Sequence, residues 1–551
     1  MKEENGYAES QGGNTLDGPI HHTKDSAPVL DGVITFDKDS QLQRGLKSRH
    51  IQFLALGGAI GTGLFVGSGA ILHLVGPVPL WLGYLSMMAV VWIVMNNIAE
   101  MVTYLPMKGI TLPYFTQRYV DSSLAFAAGW NYWYAYAILV AAEATAGAIL
   151  LDYWKTPVPT VVWITIILIV NLFLNIIAVE VFGEAEFWFA SIKLITIIGL
   201  VITALVIMLG GAPNHQRIGF LYWENPGAFK EYVATGSTGR FLAYWTAFIR
   251  AGFSFITSPE LIGLAAGETV APRRNLPKAA SRFLARLALF YGVSTLLVGA
   301  IVPSDDPHLL SKESNANASP WVIGIKRAGI GGLDHVVNVA ILTSAWSAGN
   351  AFLYSGSRVL YSMAMNGQAP RIFRRTSSRG VPYAAVLATW LFGCLAYLNA
   401  SDSGAIVFGW FSNLSTISGY IAWIVVMFTY LRFRKAMNYQ GLLHTLPYKT
   451  KFQPWATWAV LGVVILLTLT NGFQVFAQGQ WDVKDFLAAY ITIPAFMLLY
   501  LGHKAWFRTP WKKSAHDIDV LTGKKEMDEL CADDVAPVPK NWLQRIWFWI
   551  A

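Results

Sequence analysis

A run of glycines and a Pro-Glu pair, both set in apolar sequence, mark where this chain could do chemistry. LGGAIGTGLFVGSG places Gly57, Gly58, Gly61, Gly63, Gly67 and Gly69 within 13 residues. Each glycine costs up to about 1 kcal/mol against alanine in a helix, so either close packing of small residues or a break in the helix must justify them. The second anomaly is GFSFITSPELIGLAAGE. Pro259 has no N–H and disfavours helix at Ser258, and the hydroxyls of Thr257 and Ser258 are at hand for the carbonyls it frees. A broken helix presents amide donors at its new N-terminus and bare carbonyls at the other end. The first suit a carboxylate and the second an ammonium, which are the two ends of an amino acid zwitterion.

Three charged side chains in apolar runs are candidates for the same chemistry. Arg250 and Phe253 are three apart and share a helical face, with Thr257 one turn further. An arginine inside a span costs at least about 2.5 kcal/mol at the centre. Either Arg250 lines the outer mouth of a pathway, with Phe253 capping a ligand, or it snorkels to headgroups. Glu260 follows Pro259 directly, and Glu143 sits in LVAAEATAGAIL. Burial changes how readily a carboxyl ionises, so both are candidate proton carriers; a static structural pairing is the alternative for each. Trp346 and Phe411 wall a side-chain pocket or simply pack. Of the 10 histidines none pairs with cysteine or acid at metal-ligand spacing, and no nucleophile motif occurs. The expectation is no metal, no cofactor and no enzyme.

The elements that must hold these residues are membrane helices. Only 13% of the 551 residues are charged while 54% are hydrophobic, about half the charge that a water-facing surface carries. Apolar runs of bilayer-crossing length recur at 50–72, 78–104, 123–151, 158–179, 187–209, 241–267, 283–303, 335–365, 383–398, 404–430, 456–476 and 486–502. Twelve spans put both tails on one side, which collects 29 of the 41 Lys and Arg; the opposite loops hold 8, and Lys193, Arg250, Arg286 and Arg358 lie within spans. The positive-inside rule makes the tail side cytoplasmic. Topology thus accounts for the net charge of +8 without nucleic acid. Residues 1–46 read as a disordered cytoplasmic tail with no cleavable signal peptide, 47–505 as the twelve-span domain, and 506–551 as a cytoplasmic C-terminal tail. Its end, NWLQRIWFWIA, reads as an interfacial helix or a partner-binding peptide. Cys394 and Cys531 form no disulfide framework. The sequon at Asn317 precedes Pro320 and is not expected to be glycosylated. Five spans separate the two breaks, so each opens a five-span half, the pattern of a transporter site built on an inverted repeat.

Several segments carry a family resemblance. GGAIGTGLFVGSG, the span-6 segment running into LAAGETVAPRRNLPKA, FGEAEFWFASIKLITIIG, SAWSAGNAFLYSGSRVLYSMAMNGQAPRIFRRTSSRGVPYAAVLAT and WFSNLSTISGYIAW resemble fungal amino acid permeases of the amino acid–polyamine–organocation superfamily. The likeness spans about 50–505. It implies an all-α membrane protein of LeuT type, with five-plus-five inverted repeats and two extra C-terminal helices. It also implies proton-coupled uptake across the plasma membrane by alternating access. The Ser258-Pro259-Glu260 triplet stands where many members have Gly-Thr-Glu. Together with DDPHLL at 305–310 and SPWVIGI beyond span 7, it is similar to the proline-specific branch. The resemblance implies that Gly61, Thr62 and Gly63 receive the substrate carboxylate and that Glu260 matches the family's span-6 glutamate. Lys193 corresponds to a lysine standing where sodium-coupled relatives bind sodium; snorkelling toward the cytoplasm is the plainer account of it. The partners expected are a neutral amino acid, proline first, protons and the lipid bilayer. The alternatives are a permease for acidic or broad-range amino acids, in which Arg250 pairs with a second carboxylate, and a sensor that binds without transporting.

Overall fold

A computed structural model shows the chain as almost wholly helical and describes residues 61–106, 112–155, 157–177, 179–260, 272–309, 319–378, 380–511, 513–531 and 541–542. The N-terminal tail, Gly57, Gly58, the segment after Glu260, the sequon at Asn317, and Trp547 and Trp549 lie outside the described residues. In chain order the helices are α1 (Gly63–Val75), α2 (Pro77–Tyr104), α3 (Leu112–Tyr119), α4 (Ser122–Leu151), α5 (Thr160–Ile177), α6 (Val179–Leu209) and α7 (Gly236–Ala251). There follow α8 (Pro272–Ile301), α9 (Pro320–Arg327), α10 (Leu333–Met365), α11 (Tyr383–Ala400), α12 (Gly404–Tyr439), α13 (Trp455–Leu469), α14 (Val483–Tyr490), α15 (Thr492–Phe507) and α16 (Lys524–Leu530).

Among the described residues eight helices are long and apolar enough to cross a bilayer, or nine if α14 and α15, bent by 44°, form one span. α1 and α13 are shorter apolar helices. The eight long helices fall on expected spans, with shifted edges. α12 runs to Tyr439, well past 430, and the bent pair α14–α15 covers the last expected span. Sequence periodicity alone does not reveal α3, α9 or α16, which are short and lie between or beyond spans.

α4 is the axis. It is apolar all round, as a helix in the middle of a bundle should be, and 89% of its most apolar stretch is buried. α10 and α12 pack along it, and α5 and α11 join them. α5 and α6 instead turn one face outward: Ile169, Phe173, Ile195 and Ile202 are all exposed. Exposed isoleucine and phenylalanine on a long helix fit contact with acyl chains.

Candidate functional site

The second anomaly does break its helix, two residues earlier than Pro259. α7 ends at Ala251, a 3-10 turn covers Gly252–Phe255, and Ile256 is extended at φ −56, ψ 138. Thr257 then takes φ +68, a conformation rare for a β-branched residue and typical of sites that carry strain. Helix resumes at Ser258, so Pro259 sits in a first turn, where its missing N–H does no harm. Thr257 and Ser258 were expected to satisfy the freed carbonyls, and they do not. Both hydroxyls are buried with no hydrogen-bond partner in the protein. Tyrosines from other helices take over: Tyr420 donates to Ile249 O at 2.7 Å and Tyr291 to Ser254 O at 3.0 Å. Tyr420 reaches Ile249 because residue 252 is glycine; a Cβ there would lie 2.1 Å from its hydroxyl.

The glycine-rich segment meets this break directly. Gly61 accepts from the amides of Leu64 and Phe65 at 3.2 and 3.4 Å, so its carbonyl starts α1. Gly63 packs on the 3-10 turn, where a Cβ would come 2.7 Å from Ser254 Cα. Its carbonyl accepts from Tyr84 at 3.1 Å, and the same hydroxyl lies 2.8 Å from Ser254 Oγ. Gly63 at the start of α1 therefore packs directly on the 3-10 turn of the broken span.

Thr62 is fully buried and donates to Glu143 Oε1 on α4 at 2.8 Å. Lys193 on α6 is 1% exposed and interacts electrostatically with Glu143. That burial rules out snorkelling. Thr62, Glu143 and Lys193 thus converge, tying α1, α4 and α6 together. Glu260 stands apart. It accepts from Tyr132 at 3.5 Å, and Tyr132 lies three helical turns from Glu143 on α4, about 16 Å along its axis. The two carboxyls are at different depths and serve no common site.

Thr257 leaves the face expected to join it with Arg250 and Phe253, because the 3-10 turn ends at Phe255 and Thr257 takes a positive φ. Arg250 occupies the last turn of α7. Phe253 is buried edge-on against Phe408, with ring centroids 5.5 Å apart. Phe408 is one turn from Phe411 on α12. Phe411 is itself buried. Trp346 stacks toward Phe189 of α6 at 6.1 Å, and its indole N–H has no protein partner. Tyr84, Ser254, Tyr291, Tyr420 and Phe408 were not foreseen; single hydroxyls and rings on apolar helices leave no periodic signal. No cluster of metal-ligating residues occurs among the described residues.

Residues 50–516 match the amino acid permease family. A proline-specific permease of Emericella nidulans is 52% identical over 95% of this chain and 95% of its own length. A probable proline-specific permease of Schizosaccharomyces pombe is 53% identical over 90% of each. Among solved structures, a manganese transporter of Eremococcus coleocola superposes with a TM-score of 0.52 at 15% identity, covering 84% of this chain and 94% of that one. This last likeness concerns the fold alone.

Proposed function

The chain belongs to the amino acid permease family, and from that premise we propose that it takes up a neutral amino acid, proline first, across the plasma membrane with protons. As a family member it is a transporter and not an enzyme. Relatives named proline-specific, near half identical over nine-tenths of the chain or more, support proline.

The observation that carries the mechanism is the contact of α1 with the broken sixth span, beside the buried Thr62, Glu143 and Lys193. The start of α1 at Gly61, Thr62 and Gly63 receives the carboxylate. Across it, the buried and unpartnered hydroxyls of Thr257 and Ser258 face the ammonium with the carbonyls of the break. Phe253, backed by Phe408, closes over the ring. Trp346 and Phe411 complete the walls, and Arg250 lines the outer mouth. Glu143 takes the proton, Lys193 holds its charge in balance, and the Thr62 hydroxyl reports that state to the carboxylate site. Glu260 with Tyr132 is a second proton-carrying position on the inner side. The full architecture in this reading is twelve spans as five-plus-five inverted repeats with two added helices over 47–505. Cytoplasmic tails at 1–46 and 506–551 flank it.

The test is uptake of labelled proline in cells lacking their own amino acid permeases, at acidic and neutral external pH. Excess alanine, glutamate, arginine or γ-aminobutyrate competes in parallel. Acid-stimulated uptake that glutamate and arginine leave untouched is the expected result. Uptake of another amino acid instead overturns proline but keeps the mechanism. A protein that reaches the surface and carries nothing is a sensor.

A further inference from the structure

Behind the Thr62–Glu143 contact lies a polar cluster that no residue named so far explains. α5 buries Asn171 and Asn175, one turn apart, at 1% and 3% exposure, and α10 buries Asn350 completely. Asn175 Nδ2 donates to Asn350 Oδ1 at 2.7 Å and to the Asn171 carbonyl at 2.9 Å. Five polar atoms then have no partner in the protein: Glu143 Oε2, Asn171 Oδ1 and Nδ2, Asn175 Oδ1 and Asn350 Nδ2. Gly349 lies among them. A Cβ there would stand 3.1 Å from Asn171 Nδ2 and 3.3 Å from Glu143 Cβ. A carboxamide far from water needs partners for both its ends, so this grouping asks for an occupant.

The chemistry of the five atoms selects it. Three accept hydrogen bonds and two donate. A metal or alkali cation takes oxygen ligands and would confront two N–H groups. An anion would confront the Glu143 carboxylate. Water donates and accepts at once, and buried sites with several polar partners hold it.

We infer that Asn171, Asn175 and Asn350 hold a short chain of ordered water against Glu143, through which its proton arrives and leaves. The inference rests on the reading of Glu143 as the proton-carrying group. Each water forms one O–H bond as it gives up another, so the net change is one proton on Glu143 Oε2 and no change in the water. The two carboxyl oxygens then divide the work. Oε1 is held by Thr62 at the start of α1, and Oε2, with no partner in the protein, is left for water. The charged group acting on Glu143 is Lys193 of α6.

The experiment uses the full chain in liposomes with an internal pH dye. It compares proline binding, proline uptake and proton uptake under an inward proton gradient. Asn171→Leu should bind proline within about threefold of the parent yet lose at least about tenfold in proton-driven uptake. Asn171→Ser, whose hydroxyl still holds water, should keep more than about a third of it. If Asn171→Leu does not fold, Gly349→Ala asks the same question, because its methyl occupies the space between Asn171 and Glu143. Normal coupling in Asn171→Leu or Gly349→Ala, alongside an uncoupled Glu143→Gln, refutes the water chain and leaves Glu143 its role. Normal acid stimulation in Glu143→Gln removes the reading beneath it. Sodium-dependent uptake whose dependence disappears in Asn171→Leu assigns the site to a cation and overturns water.

Discussion

The hydroxyl of Thr62 joins two buried helices through one bond to Glu143. Thr62→Val keeps the shape and removes the donor. A hydrogen bond to a charged group contributes about 1.5–3 kcal/mol, so uptake per molecule at the surface should fall at least about tenfold. Thr62→Ser restores the donor and should stay within about threefold. Equal losses in both variants would mean that the methyl, not the hydroxyl, is what matters there. Thr62, Glu143 and Lys193 were legible in the sequence because glycine and charge are out of place in an apolar helix. Asn171, Asn175 and Asn350 were not, although an Asn pair at i and i+4 in an otherwise apolar run is the same kind of anomaly, only uncharged. Phe408 escaped for a different reason. Phe408 and Phe411 both lie on α12, and sequence spacing does not say which one the end of α7 reaches.

The break in the sixth span was readable from Pro259, yet the means of stabilising it was not. Its carbonyls are taken by Tyr420 of α12 and Tyr291 of α8, partners distant in sequence. Local hydroxyls, the nearer guess, are left unused. Gly252→Ala tests this arrangement. The added methyl would meet Tyr420 Oη at 2.1 Å and its ring carbon Cζ at 2.6 Å, and the tyrosine must leave Ile249. Overpacking costs about 1–3 kcal/mol, and losing the Tyr420 hydrogen bond adds about 0.5–1.5, since the Gly252 amide still serves the Ile249 carbonyl. Tyr420→Phe removes only the bond and should cost the second amount alone. Thermal unfolding in detergent, followed by size exclusion, should rank parent above Tyr420→Phe above Gly252→Ala. A Gly252→Ala protein as stable as the parent would show that the 3-10 turn does not depend on the close approach. A second prediction concerns α2. Glu100 is fully buried and accepts from Tyr430, from Arg434 and from both the amide and hydroxyl of Thr450. Glu100→Ala strands Arg434 and should cost about 3–5 kcal/mol, visible as loss of folded protein; Glu100→Gln should lose less, since it keeps acceptors for the Thr450 donors.

Contacts between segments fall into two sets. In one, Arg118 bonds the Asp519 and Thr522 carbonyls at 2.7 and 2.8 Å, and Lys513 bonds Gln117 O. Gln440 bonds Ile518 O, and Arg273 pairs with Asp528 at 2.5 Å. These links join three of the basic loops to the C-terminal segment, whose Ile518 and Val520 are buried. In the other, Lys230 bonds the His73 and Ser304 carbonyls, and Lys484 pairs with Asp402. Burial pushes the Asp519 carboxyl up, but the Thr522 amide and Arg118 outweigh it and hold it below its usual range, so the docked segment keeps that charge at neutral pH. The C-terminal segment is therefore a strap across the basic end, with Arg118 as its fastening. Arg118→Ala should leave the fold and release the strap. Trypsin would then remove a C-terminal tag by cutting at Lys524 or Lys525 at least about tenfold faster, because cleavage follows the open population. That acceleration should appear only in inside-out vesicles. Tag loss from right-side-out vesicles, in either protein, would place the basic end outside and reverse the topology drawn from 29 against 8 basic residues. An unchanged rate in inside-out vesicles would leave the topology standing and show that the buried Ile518 and Val520 hold the strap without Arg118.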